Sequence, residues 1–186
     1  MTRLPPAAEL APAIIRFWFE EVGEDRWFAK DPALDSEIRR RFGAFREALL
    51  STRASGWRDK PEHLLAAIIM LDQFSRNIHR GSARAFEADE LALELCRLAL
   101  HRGWVADAPD EWRQFFLMPL QHSEKLEDQL RSVEEFRRAG NALGLRYALL
   151  HLDQIRRFGR FPGRNLALGR LSTPEELAVI ERGETF

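Results

Sequence analysis

Ser123-Glu124-Lys125-Leu126-Glu127-Asp128-Gln129-Leu130-Arg131-Ser132-Val133-Glu134-Glu135-Phe136-Arg137-Arg138 places apolar side chains at 126, 130, 133 and 136. Steps of three and four residues belong to an α-helix, whereas a half-buried strand alternates every second residue. The same spacing recurs over 13–20, 36–50, 61–76, 84–101, 110–117 and 145–158, and β-branched runs bounded by turns are missing. Helix ends are written in as well. Pro61 opens one segment at its first turn, Gly103 and Gly140 close two others, and Pro119 follows the 110–117 segment. Thr173-Pro174-Glu175-Glu176 starts the last helix with an N-cap, a first-turn proline and a capping-box glutamate. The expectation is an all-α fold, roughly seven to nine helices in antiparallel pairs stacked as a compact bundle or a short superhelix.

The 186 residues fit a single domain, 1–186. A chain of that size buries roughly 70% of the surface its unfolded form exposes, so one core suffices without disulfides. With 28 basic and 29 acidic side chains there is no net field toward nucleic acid or an anionic membrane. Only Lys30, Lys60 and Lys125 among the basic residues are lysine, so any local arginine cluster is partly a matter of composition. The lone Cys96 lies in an apolar helical stretch and reads as a core thiol. Glu9, Pro12 and Arg16 interrupt the amino-terminal apolar residues, which denies them signal-peptide anatomy, and no run approaches the ~20 apolar residues of a membrane span. A cytoplasmic protein with no nucleic-acid and no membrane partner is expected. Most of the aromatic side chains fall at helical spacing and read as core; Trp27, Phe28 and Trp57 fall in predicted loops.

Three segments carry possible chemistry. In Leu71-Asp72-Gln73-Phe74-Ser75-Arg76-Asn77 a carboxylate stands on the apolar stripe, one turn before an arginine. Such a charge is costly unless paired. Either Asp72 and Arg76 pair to tie down a helix end, or Asp72 orients Arg76 toward an anionic ligand. The phrase is echoed by Leu152-Asp153-Gln154-Ile155-Arg156-Arg157, which makes Asp153 a second candidate orienting group. In the second segment His122 stands one turn before Leu126 and points inward if the helix reaches back to it. It reads as a buried neutral imidazole, as a general acid or base near neutral pH or, least, as a metal ligand. Glu124 is two residues away and off that helix face, so the pair lacks the spacing of a helical zinc site. Ser123 and His122 are adjacent and diverge by about 100° on a helix, so they are no nucleophile and base. The third segment, Arg156 to Asn165, is rich in Arg and has no acid; Arg160, Arg164 and Asn165 could bind helix-end carbonyls or an anion at a short helix capped by Asn165. No metal and no cofactor are expected, and the catalytic question stays open because no nucleophile with a matched base is evident.

Taken together, Leu71–Asn77 with Arg80-Gly81, Pro119 with His122-Ser123-Glu124, Asp128-Gln129, Arg157-Phe158-Gly159-Arg160-Phe161-Pro162, Arg164-Asn165, Leu168-Gly169-Arg170, Ser172-Thr173 and Glu175-Glu176 resemble the bacterial family catalogued as domain of unknown function 924. The resemblance covers nearly the whole chain from Phe17-Trp18-Phe19 onward. It implies an all-helical fold similar to tetratricopeptide-repeat superhelices and no established activity. The chain departs from the family pattern at Ser75, where proline is usual, and at Gly163, where histidine is usual; the second departure favours binding over catalysis. Two expectations follow. One is a pocket for a small anionic metabolite lined by Asp72, Arg76, His122, Glu124, Asp153, Arg160, Arg164 and Asn165. The other is a scaffold whose helical face takes a peptide or protein partner, with the polar motifs as helix-end clamps.

Overall fold

The computed structural model describes residues 4–186. The fold is all-helical, and no strand occurs among the described residues. The chain divides into two compact units: residues up to Arg80 with Arg84–Trp104, and Gly81–Ala83 with Val105–Phe186.

The first unit holds α1 (Ala7–Arg16), α2 (Pro32–Ser51), α3 (Pro61–Ile68), α4 (Ser75–Ile78) and α5 (Asp89–His101). Helix α2 begins where Asp31 accepts hydrogen bonds from the amides of Ala33 and Leu34 and Pro32 supplies the first turn. It buries Leu34, Ile38, Phe42, Arg46 and Leu49, a three-to-four spacing in which one member is charged. Phe17, Phe42 and Phe74 meet with ring centroids 5.0 to 5.9 Å apart. Each such pair adds about 0.5–1.5 kcal/mol beyond burial of its area. Trp27, expected in a loop, is buried and donates its indole N–H to the Trp18 carbonyl at 2.8 Å.

The helix expected over 61–76 is not uniform. Between α3 and α4 the chain widens into a π-turn, Ile69–Phe74, in which all six residues are buried. A π-turn carries more residues per turn than an α-helix, so Asp72 and Gln73 both face inward where regular spacing would send one of them out.

In the second unit α7 (Asp110–Gln121), α8 (Leu126–Arg138), α9 (Ala142–Phe158) and α10 (Pro174–Glu181) follow the short α6 (Trp104–Asp107), whose first residue belongs to the other unit. Helix α7 runs through Pro119 instead of ending before it, so one backbone bond is missing near its end. The side-chain amide of Gln129 covers that end by donating to the carbonyls of Leu120, Gln121 and Ser123. This rotates α8 away from the expected stripe. Val133 and Phe136 are buried as expected, but Leu126 and Leu130 are about half exposed while Asp128, Gln129 and Ser132 face inward. Helix α9 folds back against α8 at Gly144, where an added Cβ would lie 2.3 Å from the Phe136 ring. The capping box of α10 forms as read: Thr173 and Glu176 each bond the other's backbone amide.

Candidate functional site

The eight candidate side chains divide between the units, and most of them are committed. In the first unit Arg76 lies 3.1 Å from Asp72, makes a two-bond pair with Asp89 at 2.8 and 2.9 Å, and donates to the Asp72 carbonyl. Burial opposes the guanidinium charge, but Asp72 and Asp89 outweigh it and hold its pKa above the ordinary arginine range. Asp72 and Arg76 therefore tie the π-turn to α5. Asp89 was not singled out in the sequence because its partner lies 13 positions away.

Beside that pair, Arg46 is wholly buried. Its Nε donates to Ser75 Oγ at 3.0 Å and its Nη1 to Glu87 at 2.5 Å, while Nη2 has no partner. The Ser75 hydroxyl in turn donates to the Leu71 carbonyl inside the π-turn. Glu47, His79 and Glu87 bring ligand atoms within 4.8 Å of one another, the spacing of a metal site. Arg46 and Arg84 already sit on the same carboxylate oxygens, which neutralises the charge a cation would need. Burial and the two arginine charges also hold the His79 pKa down.

In the second unit Asp153 is exposed and pairs with Arg157, one turn on, at 3.3 Å. Its environment is unlike that of Asp72, so the echoed phrases do not serve the same purpose. Arg160 makes a two-bond pair with Glu176 at 2.6 and 2.8 Å. Asn165 does not cap a helix. Its amide donates to Ser172 and Glu176, and its oxygen accepts from Arg170. Glu124 accepts two hydrogen bonds from Arg170 and one from the Phe161 amide. Burial would raise the Glu124 pKa, but these donors and the charge of Arg164 bring it below the usual carboxylate range.

What these clamps fix is Phe161. Glu124 holds its N–H at 2.7 Å and Arg170 donates to its carbonyl at 3.0 Å, so a buried ring is locked in place. Two cationic or ionisable groups use that ring. The Arg164 guanidinium carbon lies 4.5 Å from its centroid and the His151 ring 5.5 Å from it, edge to face. His151 reaches inward from the buried face of α9 with Ala148 and Ile155. Its Nδ1 lies 2.8 Å from the Tyr147 carbonyl, which puts the proton of the neutral ring on Nδ1. His122 is the C-cap residue of α7, short of the start of α8, and its ring centroid is 6.3 Å from that of His151. Sequence reading found His122 and Arg164 but missed His151, although its place three residues after Ala148 and four before Ile155 puts it on the apolar stripe.

A separate cavity of about 300 Å³ in the second unit is lined by Asp110, Arg113, Leu117, Phe136 and Asn141, among others. None of the expected ligand residues lines it. Its arginine is spent on Asp110 and on the carbonyls of Val105, Ala106, Ala108 and Ala139.

The fold and these clamps define a class: an all-helical protein in which arginine–carboxylate pairs fasten loops to helix ends. The chain belongs to the bacterial protein family of unknown function DUF924, whose model matches residues 14–184. It is similar to the solved structure of a protein of unknown function from Agrobacterium tumefaciens, at 37% identity and a TM-score of 0.89 over 95% of this chain and 99% of that one. Among curated proteins none matches. No helix among the described residues is long and apolar enough to cross a membrane.

Proposed function

We propose that the second unit binds a small anion, a carboxylate or phosphate, among His122, His151 and Arg164. The observation that carries this reading is a chain of neighbours: Arg164 and His151 both contact the Phe161 ring, and the His122 ring lies 6.3 Å from that of His151. Imidazolium and guanidinium groups are charge-assisted donors suited to anionic oxygens. Locking of the Phe161 backbone by Glu124 and Arg170 pre-organises them, which lowers the entropy lost on binding. Arg76 and Arg160 play no part in contacting the ligand, because each makes a two-bond pair with an internal carboxylate. The reading is one of binding; no nucleophile and base stand together at these residues.

Thermal unfolding with inorganic phosphate and with citrate tests the proposal. A ligand at about 100 times its dissociation constant adds roughly 2.7 kcal/mol, which raises the midpoint by several degrees. The expected shift disappears in His122→Ala and Arg164→Ala and persists in Arg157→Ala. A shift that survives in all three variants, or no shift with either anion, would sink the reading; the second result would turn the search toward a protein or peptide partner.

A further inference from the structure

Residues 184–186 lie against the group just described. The Phe186 ring stacks on His151 with centroids 3.7 Å apart and planes 21° from parallel. The Glu184 carbonyl accepts from the Gln154 side chain one turn along α9, and the Glu184 amide closes onto Val179 at the end of α10. The segment passes so close to Gly163 that a Cβ there would lie 2.8 Å from the Phe186 carbonyl oxygen and 3.0 Å from Thr185 Oγ1. Gly163 is exposed and its backbone is not left-handed, so the close approach, not its φ, is what excludes a side chain.

We infer that residues 184–186 form a strap that covers the anion site, so that a ligand gains His151 only by displacing Phe186; this rests on the anion-binding reading above. His151 is buried in part because the phenyl ring lies over it. The seat of the strap is also incomplete. Gln154 gives its amide N–H to the Glu184 carbonyl, yet its Oε1 is buried without a partner. Opening lets water reach that acceptor, which offsets part of the cost of unseating the strap. A ligand that binds only the open form then shows an affinity reduced by the fraction open.

The experiment compares the full chain with Gly163→Ala and Phe186→Ala, neither of which removes a proposed ligand contact. Proton–carbon spectra follow the His151 Cε1–H signal, which the stacked ring displaces. Titration with inorganic phosphate follows binding. Loss of the ring displacement in both variants, with phosphate binding about three- to tenfold tighter, is the expected result. Loss of the displacement with unchanged affinity overturns the strap and leaves the anion site standing. No phosphate binding by any of the three proteins overturns the anion site and the strap with it. An undisplaced His151 signal in the wild type shows that the segment is not seated in solution and overturns the strap alone.

Discussion

Glu124 and Arg170, 46 residues apart, form a two-bond pair at 2.8 and 3.0 Å and between them hold both backbone polar groups of Phe161. The pair thus ties the connection between α9 and α10, to which Phe161 and Arg170 belong, to Glu124 beyond the end of α7. A planar guanidinium can face a carboxylate with two N–H groups and still reach a carbonyl; an ammonium at the end of a flexible stem cannot repeat that geometry. Arg170→Lys keeps the charge and is expected to cost about 1–2 kcal/mol through the lost hydrogen bonds. At this chain length that lowers the unfolding midpoint by about 2–8 °C. Phosphate affinity at the proposed site is expected to fall as well, because the ring that contacts Arg164 and His151 is loosened. An unchanged midpoint would show that the clamp is not needed to hold the loop.

Glu176 gives the second unit a sensitivity to acid. The Arg160 hydrogen bonds, with help from the Thr173 amide and Asn165, bring its pKa from 4.5 to about 2 against the opposing effect of burial. The unfolded chain takes up a proton near pH 4.5 that the native state refuses until about pH 2. Its stabilisation is therefore complete above pH 4.5 and is lost as pH falls through that window. Chemical denaturation at a series of pH values should show an acid limb that is shallower in Glu176→Gln than in the wild type. Parallel limbs would mean that Arg160 and Glu176 do not pair in solution.

Asp72 and Asp153 occupy matching places in two similar phrases but sit in opposite environments, 1% and 59% exposed at the side chain. Asp72→Ala leaves Arg76 short of one of its two carboxylates in a buried setting and is expected to cost about 3 kcal/mol. Asp153→Ala removes half of an exposed pair and should change stability by less than about 0.5 kcal/mol. Equal effects in urea melts would contradict the placement.

These two residues show how far the sequence reaches. Periodicity is a local signal, so it finds helices and their caps, as at Thr173 and Glu176, and the i,i+4 partnership of Asp72 with Arg76. It also assumes a regular helix. The π-turn at Ile69–Phe74 breaks that assumption, and so does α8, where Gln129 turns inward to cover the end of α7 and leaves Leu126 and Leu130 about half exposed. Contacts made across long stretches of chain leave no spacing to read. Glu124 with Arg170, Asp89 with Arg76, and His151 with Phe186 are of this kind. For the same reason the family resemblance marks Arg160 and Asn165 as notable without showing that both turn toward Glu176.

Gly144 tests the packing on which His151 depends. It lies in the first turn of α9, where Asn141 caps the helix by accepting from its amide at 2.7 Å and Gln121 donates to its carbonyl at 3.1 Å. An ideal Cβ at this position would stand 2.3 and 2.5 Å from two atoms of the fully buried Phe136 ring. In an open helix alanine would gain up to about 1 kcal/mol over glycine. Here the ring would have to be pushed aside to admit the methyl group, so overpacking should dominate and Gly144→Ala should destabilise by about 1–3 kcal/mol. Phe136→Leu alone should also destabilise, through the volume it removes, whereas adding it to Gly144→Ala should recover part of the loss, a coupling of the sign expected for residues in contact. Additive effects in the double variant would mean that α8 and α9 do not meet at these two residues, and the position of His151 beside His122 would lose its support.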